Sequence, residues 1–318
     1  MEPMRIYKFG GPSMGSPSNI KQVCEIIKRD KPGIVVVSAP GDSTNILELL
    51  AEGIFKNDKN KINSAFNKFK KTIEDIIDGL FDQSIQNRTI RETSREIMNF
   101  LSTFNNYGCN FLEMTKDRIT VVGEFLSSQI LFHQLLLNED FQKISLINAT
   151  GLIFADMNFG EANVDRERSI SMIRKGEMIR KLDAGNTIIT QGFIAITAVE
   201  KSGYFSIYSP VTLGREGSDY SAALIASFVS ELGTSVEEVV LWKDVSGVFR
   251  INPKNISKGN KPYNYKKLKF AGLQKMINPG GSAQGLVHPK TLRVLKEAKI
   301  PLRIKSFLQP ELPGTLIS

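Results

Sequence analysis

The hydrophobic positions of this 318-residue chain follow two periods that take turns. Short, almost continuous apolar runs such as RIYKFG (5–10) and PGIVVVSAPG (32–41) read as strands buried on both faces. The segments after them carry apolar residues three and four apart. SPSNIKQVCEIIKRD (16–30) sets Ile20, Val23, Cys24, Ile26 and Ile27 on one face behind a capping serine, which predicts a helix. STNILELLAEGIF (43–55) predicts another. Residues 56–115 change texture: they are rich in Lys, Asn and Ile at helical spacing, as in FKKTIEDIIDGLF and RETSREIMNFLSTF. They read as a helical subregion whose apolar stripes serve helix packing.

Alternation then resumes. TVVGEFLSSQILFHQLLLN (120–138) predicts a long helix and KISLINA (143–149) a strand. Residues 165–185 predict one helix closed by a glycine, NTIITQGFIA (186–195) one strand, and YFSIYSP (204–210) a further strand. A helix over 217–233, a strand entering a turn over 236–249, a helix over 285–299 and a strand over 300–307 complete the pattern. Strands alternating with helices imply a parallel-rich sheet covered on both faces.

Composition adds exclusions. No apolar run approaches the ~20 residues of a membrane helix, and the N-terminus lacks a basic-then-apolar leader, so the expectation is a cytoplasmic protein with no membrane partner. Two cysteines, Cys24 and Cys109, make neither a metal site nor a disulfide framework. Two histidines, His133 and His288, leave little room for zinc or a serine triad. The formal charge of +8 is spread over scattered lysines without interleaved aromatics, which argues against nucleic acid as a partner.

Three Gly/Ser/Thr-rich loops follow strands and open helices: GGPSMGSPS (10–18), SAPGDSTN (38–45) and TLGREGSDYSAA (212–223). Such loops gather at the carboxyl ends of parallel strands, where backbone N–H groups and a helix dipole can hold an anion. Arg215 offers a bidentate partner for a carboxylate or phosphate, and Ser218 and Asp219 are N-cap candidates. WKDVSGVF reads as a strand ending in a turn, and Glu124 as an acid near the start of an apolar helix. Each of these has an ordinary structural explanation as well, as a cap, a strand-end turn or a first-turn charge.

Taken together, the motifs resemble the aspartate kinases of the amino acid kinase superfamily. KFGGPSMG is similar to that family's KFGGTSVG opening. SAPGDSTN, VVGEFLS, ITQGFI, TLGREGSDYSAA, WKDVSGVF-RINPK, LVHPKTL and IPLRIKSF-LQPELPGTLI follow in the family's order over residues 5–317. The resemblance implies a three-layer α/β/α sandwich with a mostly parallel central sheet. It implies one catalytic domain over 1–318, with an acceptor-binding part to about 185 and a nucleotide-binding part over about 186–310, and no ACT regulatory domain.

The implied activity is ATP-dependent phosphorylation of the side-chain carboxylate of L-aspartate, the first step toward lysine, threonine and methionine. Mg2+ would enter on the ATP phosphates with no metal site of the protein's own, and the family suggests a homodimer. Lys8 and Asp219 would be catalytic. Ser38, Thr44, Glu124, Arg215 and Ser218 would bind aspartate. Gly10, Gly11, Ser13, Lys243, Asp244, Phe249 and Lys254 would bind nucleotide and phosphate. The chain departs from the family pattern at Pro12, Lys243, Phe249, Asn252 and Gly285, so its nucleotide side is the altered one. Two alternatives are a related kinase for another small carboxylic acid and a non-catalytic binding protein.

Overall fold

A computed structural model of the chain describes residues 3–82, 88–104, 111–137, 141, 143–202, 205–250, 264–278 and 281–318. In chain order the elements are β1 (Met4–Phe9), α1 (Gly11–Met14), α2 (Pro17–Asp30), β2 (Ile34–Val37), α3 (Ser43–Phe55), α4 (Lys59–Leu80), α5 (Arg88–Thr103) and α6 (Leu112–Leu136). They continue with β3 (Ile144–Leu146), β4 (Phe154–Ala155), β5 (Val164–Asp165), α7 (Arg166–Lys175), α8 (Met178–Asp183), β6 (Thr187–Gln191), β7 (Ile194–Ser202) and β8 (Phe205–Thr212). Last come α9 (Gly217–Glu231), β9 (Val236–Lys243), β10 (Lys267–Leu268), α10 (Phe270–Ile277), α11 (Pro289–Glu297), β11 (Leu302–Ser306) and β12 (Thr315–Ile317).

The main sheet has eight strands in the order β10-β12-β11-β9-β1-β2-β6-β3. Every neighbouring pair is parallel except β11 with β12. Its central strands are apolar throughout because both faces are covered, which is why they lack polar alternation. On one face Tyr7, Phe9, Val35, Val37 and Trp242 pack against α2 to α6. On the other, Ile6, Ile34, Val36, Val239 and Leu241 pack against α7 to α11. The predicted three-layer α/β/α sandwich is therefore the observed one. Burying each such Ile, Val or Leu contributes about 1.5–3 kcal/mol.

The predicted face of α2 is buried in full, behind Ser16, whose Oγ accepts from the Asn19 amide. The helical subregion holds α4 and α5, whose Phe69, Ile73, Ile77, Ile90 and Leu101 join the first core cluster.

Five expectations need correction. The strand over 186–195 is two: β6 ends at Gln191, and Phe193 at φ 66 turns the chain into β7. β7 and β8 pair antiparallel in a second sheet of order β5-β4-β7-β8, a layer that strand–helix alternation did not announce. The helix over 165–185 breaks at Gly176 into α7 and α8. Finally, α6 starts at Leu112, so Glu124 lies midway along it and gains nothing from the N-terminal dipole. By length and composition α6 could cross a membrane, contrary to the sequence reading, yet most of it is buried inside the fold.

Candidate functional site

The sheet's period of two decides where the lysines go. β1 and β9 are parallel neighbours with Lys8 opposite Leu241 and Phe9 opposite Trp242. Phe9 and Trp242 therefore enter one core, while Ile6 and Leu241 enter the other. Lys8 and Lys243 share the parity of the second set and face α9. Asp219, in the first turn of α9, receives both. Lys8 Nζ is 2.7 Å from Oδ1, and Lys243 Nζ donates to Oδ2 at 2.7 Å. Asp219 is 1% exposed and Lys8 5% exposed, so the cluster is almost dry. Burial alone would raise the Asp219 carboxyl, but Lys243 and then Lys8 outweigh it and hold it at about 2. Burial pulls the Lys8 ammonium below its ordinary range against the attraction of Asp219. For Lys243 the balance is reversed: Asp219 prevails over burial and raises it.

From Lys8 a cleft of about 580 Å³ opens between the first and second loops, α6 and the loop before α9. Gly11 and Pro12 of the first loop line it, with Ser38, Gly41 and Thr44 of the second. Gly11 is required: a Cβ there would sit 2.5 Å from the Gly41 carbonyl, and the Gly41 amide donates to Gly11 O at 2.8 Å. Arg215, Glu216 and Ser218 form the far wall. Arg215 is exposed, between Gly214 at φ 81 and Glu216 at φ 54. Ser218 is buried against Gly192, where a side chain would run into it.

Glu124 also lines the cleft. It is 2% exposed, and its Oε2 is buried without a hydrogen-bond partner. Burial pushes its carboxyl up to about 8, although the Ala39 amide and, more weakly, Lys8 pull the other way. In the free protein Glu124 is therefore largely protonated at neutral pH. A cationic group in the cleft would ionise it.

The cleft thus gathers Lys8, Gly11, Ser38, Thr44, Glu124, Arg215 and Ser218, with Asp219 behind Lys8 and Lys243 joined to Asp219. Other expected residues stand elsewhere. Gly10 is buried, and the Ser13 hydroxyl donates to Gly10 O at 2.6 Å, which turns it away from the cleft. Asp244 is exposed beyond β9, and Phe249 is half-buried and bridged to Asn264. Neither lines the cleft. Lys254, Asn252 and Cys109 lie outside the described residues. Cys24 is buried, its thiol pushed up to about 12 by that burial. Gly285 has φ 74 and open space around it. The N-cap of α9 is Glu216 with no side-chain capping bond, so Ser218 and Asp219 are first-turn residues, and Asp219 holds lysines instead of the helix end.

Two acids escaped the sequence reading. Asp117, 1% exposed, accepts from the Gly160 and Thr212 amides and, at 2.6 Å, from Thr212 Oγ1. It ties α6 to β8 and to the loop before β5. Burial raises its carboxyl, offset in part by those donors. Its signal was present: it stands two helical turns before Glu124, on the same face. Glu216 was quoted within its loop but given no role. Its Oε2 is buried without a partner, and burial raises its carboxyl against the pull of Lys243.

A sequence profile described as the amino acid kinase family matches residues 3–306. The bifunctional aspartokinase/homoserine dehydrogenase of Buchnera aphidicola is 28% identical over 325 residues, covering 99% of this chain and 36% of that protein. The aspartokinase of Chlamydia muridarum is 28% identical over 313 residues, covering 98% of this chain and 63% of the relative. The crystal structure of Escherichia coli aspartokinase III in complex with aspartate and ADP superposes with a TM-score of 0.81 at 23% identity. That match covers 99% of this chain and 64% of the other, and it shows a shared fold. The chain spans less than two thirds of each of these relatives.

Proposed function

The chain belongs to the amino acid kinase family, and from that premise we propose that it transfers the γ-phosphoryl group of ATP to the side-chain carboxylate of L-aspartate, giving 4-phospho-L-aspartate and ADP. The observation that carries this reading is the polarity of one cleft. A buried acid with an unpartnered oxygen lines it, and so does a buried lysine held by a buried aspartate.

Glu124 takes the substrate ammonium, which moves its proton off. Arg215 takes the α-carboxylate, and Ser38, Thr44 and Ser218 offer hydroxyls along the substrate. The side-chain carboxylate, with a free pKa of about 3.9, is already ionised at neutral pH and needs no general base. Its oxygen forms a bond to the γ-phosphorus as the bond to the bridging oxygen breaks, and ADP leaves with the electron pair. Lys8 and the Gly11 backbone stabilise charge on the transferring group, and Asp219 aims Lys8. The acceptor-binding part, about residues 1–185, is then completed by Arg215 and Ser218 from the nucleotide-binding part, about 186–310, where Asp244, Phe249 and Lys254 remain candidates for the nucleoside.

Magnesium would neutralise phosphate charge when bound. Among the described residues no group of three or more His, Cys, Asp or Glu could cage a metal ion. Asp219 is committed to two ammonium groups, and Glu216 has an unpartnered buried oxygen at the cleft wall. These residues fit a metal held mainly by phosphates and water, with Glu216 the available carboxylate. A cytoplasmic homodimer feeding lysine, threonine and methionine synthesis completes the reading.

Hydroxylamine trapping tests it. With ATP, Mg2+ and a panel of L-aspartate, L-glutamate, N-acetylglutamate and simple dicarboxylates, we expect hydroxamate from aspartate alone. A signal from another acid would replace the substrate, and silence from folded protein would reject the kinase reading.

A further inference from the structure

Asp117 borders the cleft, yet its carboxylate is committed to other parts of the chain. The Thr212 amide donates to its Oδ2 at 3.0 Å and the Thr212 hydroxyl to its Oδ1 at 2.6 Å. The Gly160 amide lies 3.1 and 3.0 Å from the two oxygens. We propose that Asp117 is a positioning residue for the acceptor: by clamping the start of the 212–217 loop to α6 it fixes Arg215 relative to Glu124, and so sets how the two groups on the substrate's α-carbon are read. The inference rests on the kinase reading above.

An α-amino acid carries its ammonium and its carboxylate on one carbon. It cannot stretch to suit two protein groups that drift apart, so those groups must be held in a fixed relation. Glu124 meets that demand through α6, whose buried side chains root it in the core. Arg215 does not meet it unaided. It is exposed, on a loop that turns left-handed on either side of it, at Gly214 with φ 81 and at Glu216 with φ 54. A side chain placed in this way is aimed by the backbone beneath it.

Asp117 joins that backbone to the helix of Glu124. It precedes Glu124 by two helical turns, about 10 Å of rise, on the same face. Its partner Thr212 ends β8, just before Gly214 and Arg215. Its other partner, Gly160, underlies the same loop: a Cβ on Gly214 would lie 3.5 Å from Gly160 O and 3.0 Å from Glu161 Cγ. The Ala162 amide donates to Thr212 O at 2.9 Å, which binds the two segments to each other. One carboxylate therefore fastens both of the segments beneath Arg215. Arg118 Nε, next along α6, donates to Ser209 Oγ at 3.1 Å, so β8 keeps a separate tie to α6 when Asp117 is replaced.

A double-mutant cycle between Asp117 and Arg215 tests this role, with turnover kinetics, ATP calorimetry and melting curves on each variant. Asp117→Ala removes the clamp. We expect it to raise the KM for L-aspartate about 5- to 10-fold, no more than the loss of Arg215 itself, with kcat and ATP affinity unchanged. Asp117→Asn should recover most of the loss, because its oxygen still accepts from the two amides and the Thr212 hydroxyl can turn to accept from its NH2 group. In an Arg215→Ala background, Asp117→Ala should cost nothing further. Thr212→Val deletes only the hydroxyl contact and should raise the same KM about 2- to 3-fold, which keeps the test open if Asp117→Ala does not fold. Losses that add in the double variant would overturn the proposal, since Asp117 would then act by a route other than Arg215. Aspartate and ATP weakened alike with a lowered melting temperature would overturn it in favour of a purely structural role, and so would an unchanged KM in a folded Asp117→Ala. Wild-type protein that does not phosphorylate aspartate would reject the kinase reading itself, a result visible before any variant is made.

Discussion

Glu124 and Asp219 are two buried carboxylates of one site, Glu124 lining the cleft and Asp219 standing behind Lys8. Both are in helices, and they are 2% and 1% exposed. Burial acts on them alike, yet one is pushed up to about 8 and the other held at about 2. The difference is local cations. Asp219 has two ammonium groups at 2.7 Å. Glu124 has backbone donors, a weak pull from Lys8 and an oxygen with no partner. Equal burial therefore builds opposite devices. The transfer side has its charges paired in advance and presents cations to an anion. The acceptor side keeps an acid whose missing partner must come with the substrate.

The sharpest way to break this comparison is to remove the transfer side's cation. Lys8→Ala should lower kcat by about 10²–10³-fold, the range for deleting a preorganised stabilising donor. Lys243 still covers Asp219, so the fold should survive, as circular dichroism and melting curves would show. Near-wild-type turnover would mean that phosphoryl transfer occurs elsewhere.

Next in size is the acceptor side. Glu124→Gln keeps shape but cannot ionise toward an ammonium. Aspartate binding should weaken about 10- to 100-fold while ATP affinity stays unchanged by calorimetry. Loss of ATP affinity instead would place Glu124 on the phosphate side. Arg215→Ala should cost less, about 5- to 10-fold in the KM for aspartate, because Arg215 is exposed and its pairing is screened by water. An equal effect on succinate, which lacks the amino group, would sharpen the assignment to the carboxylate.

How much of this was legible in the chain depends on the range of the contact. The buried strands were readable because β1, β2 and β9 are covered on both faces and need continuous apolar runs. The split between β6 and β7 was not, since it turns on Phe193 adopting φ 66, which no period encodes. The polar first two turns of α6 hid its true start. The glycine-rich loops marked the cleft, and the family resemblance supplied Lys8, Glu124 and Arg215. The double clamp on Asp219 was out of reach. It depends on the parallel pairing of β1 with β9, which fixes which faces Lys8 and Lys243 share.

The smallest effect is thermodynamic and needs no substrate. Glu124 titrates near 4.5 in the unfolded chain and near 8 in the fold. Between those values the folded protein keeps a proton that the unfolded chain releases, so this group lowers stability as pH rises and levels off above about 8. Asp219 has the opposite sign, from 3.8 unfolded to about 2 folded. Its stabilisation is present above about pH 4 and is lost as pH falls through about 2, so it is flat over the same window. The melting temperature of the wild type should therefore fall more steeply between pH 5 and 8 than that of Glu124→Gln, by a few degrees. Saturating L-aspartate should remove the difference in slope, because the bound ammonium ionises Glu124. Parallel slopes without ligand would mean that Glu124 is already charged in the free protein, and the contrast between the two carboxylates would be lost.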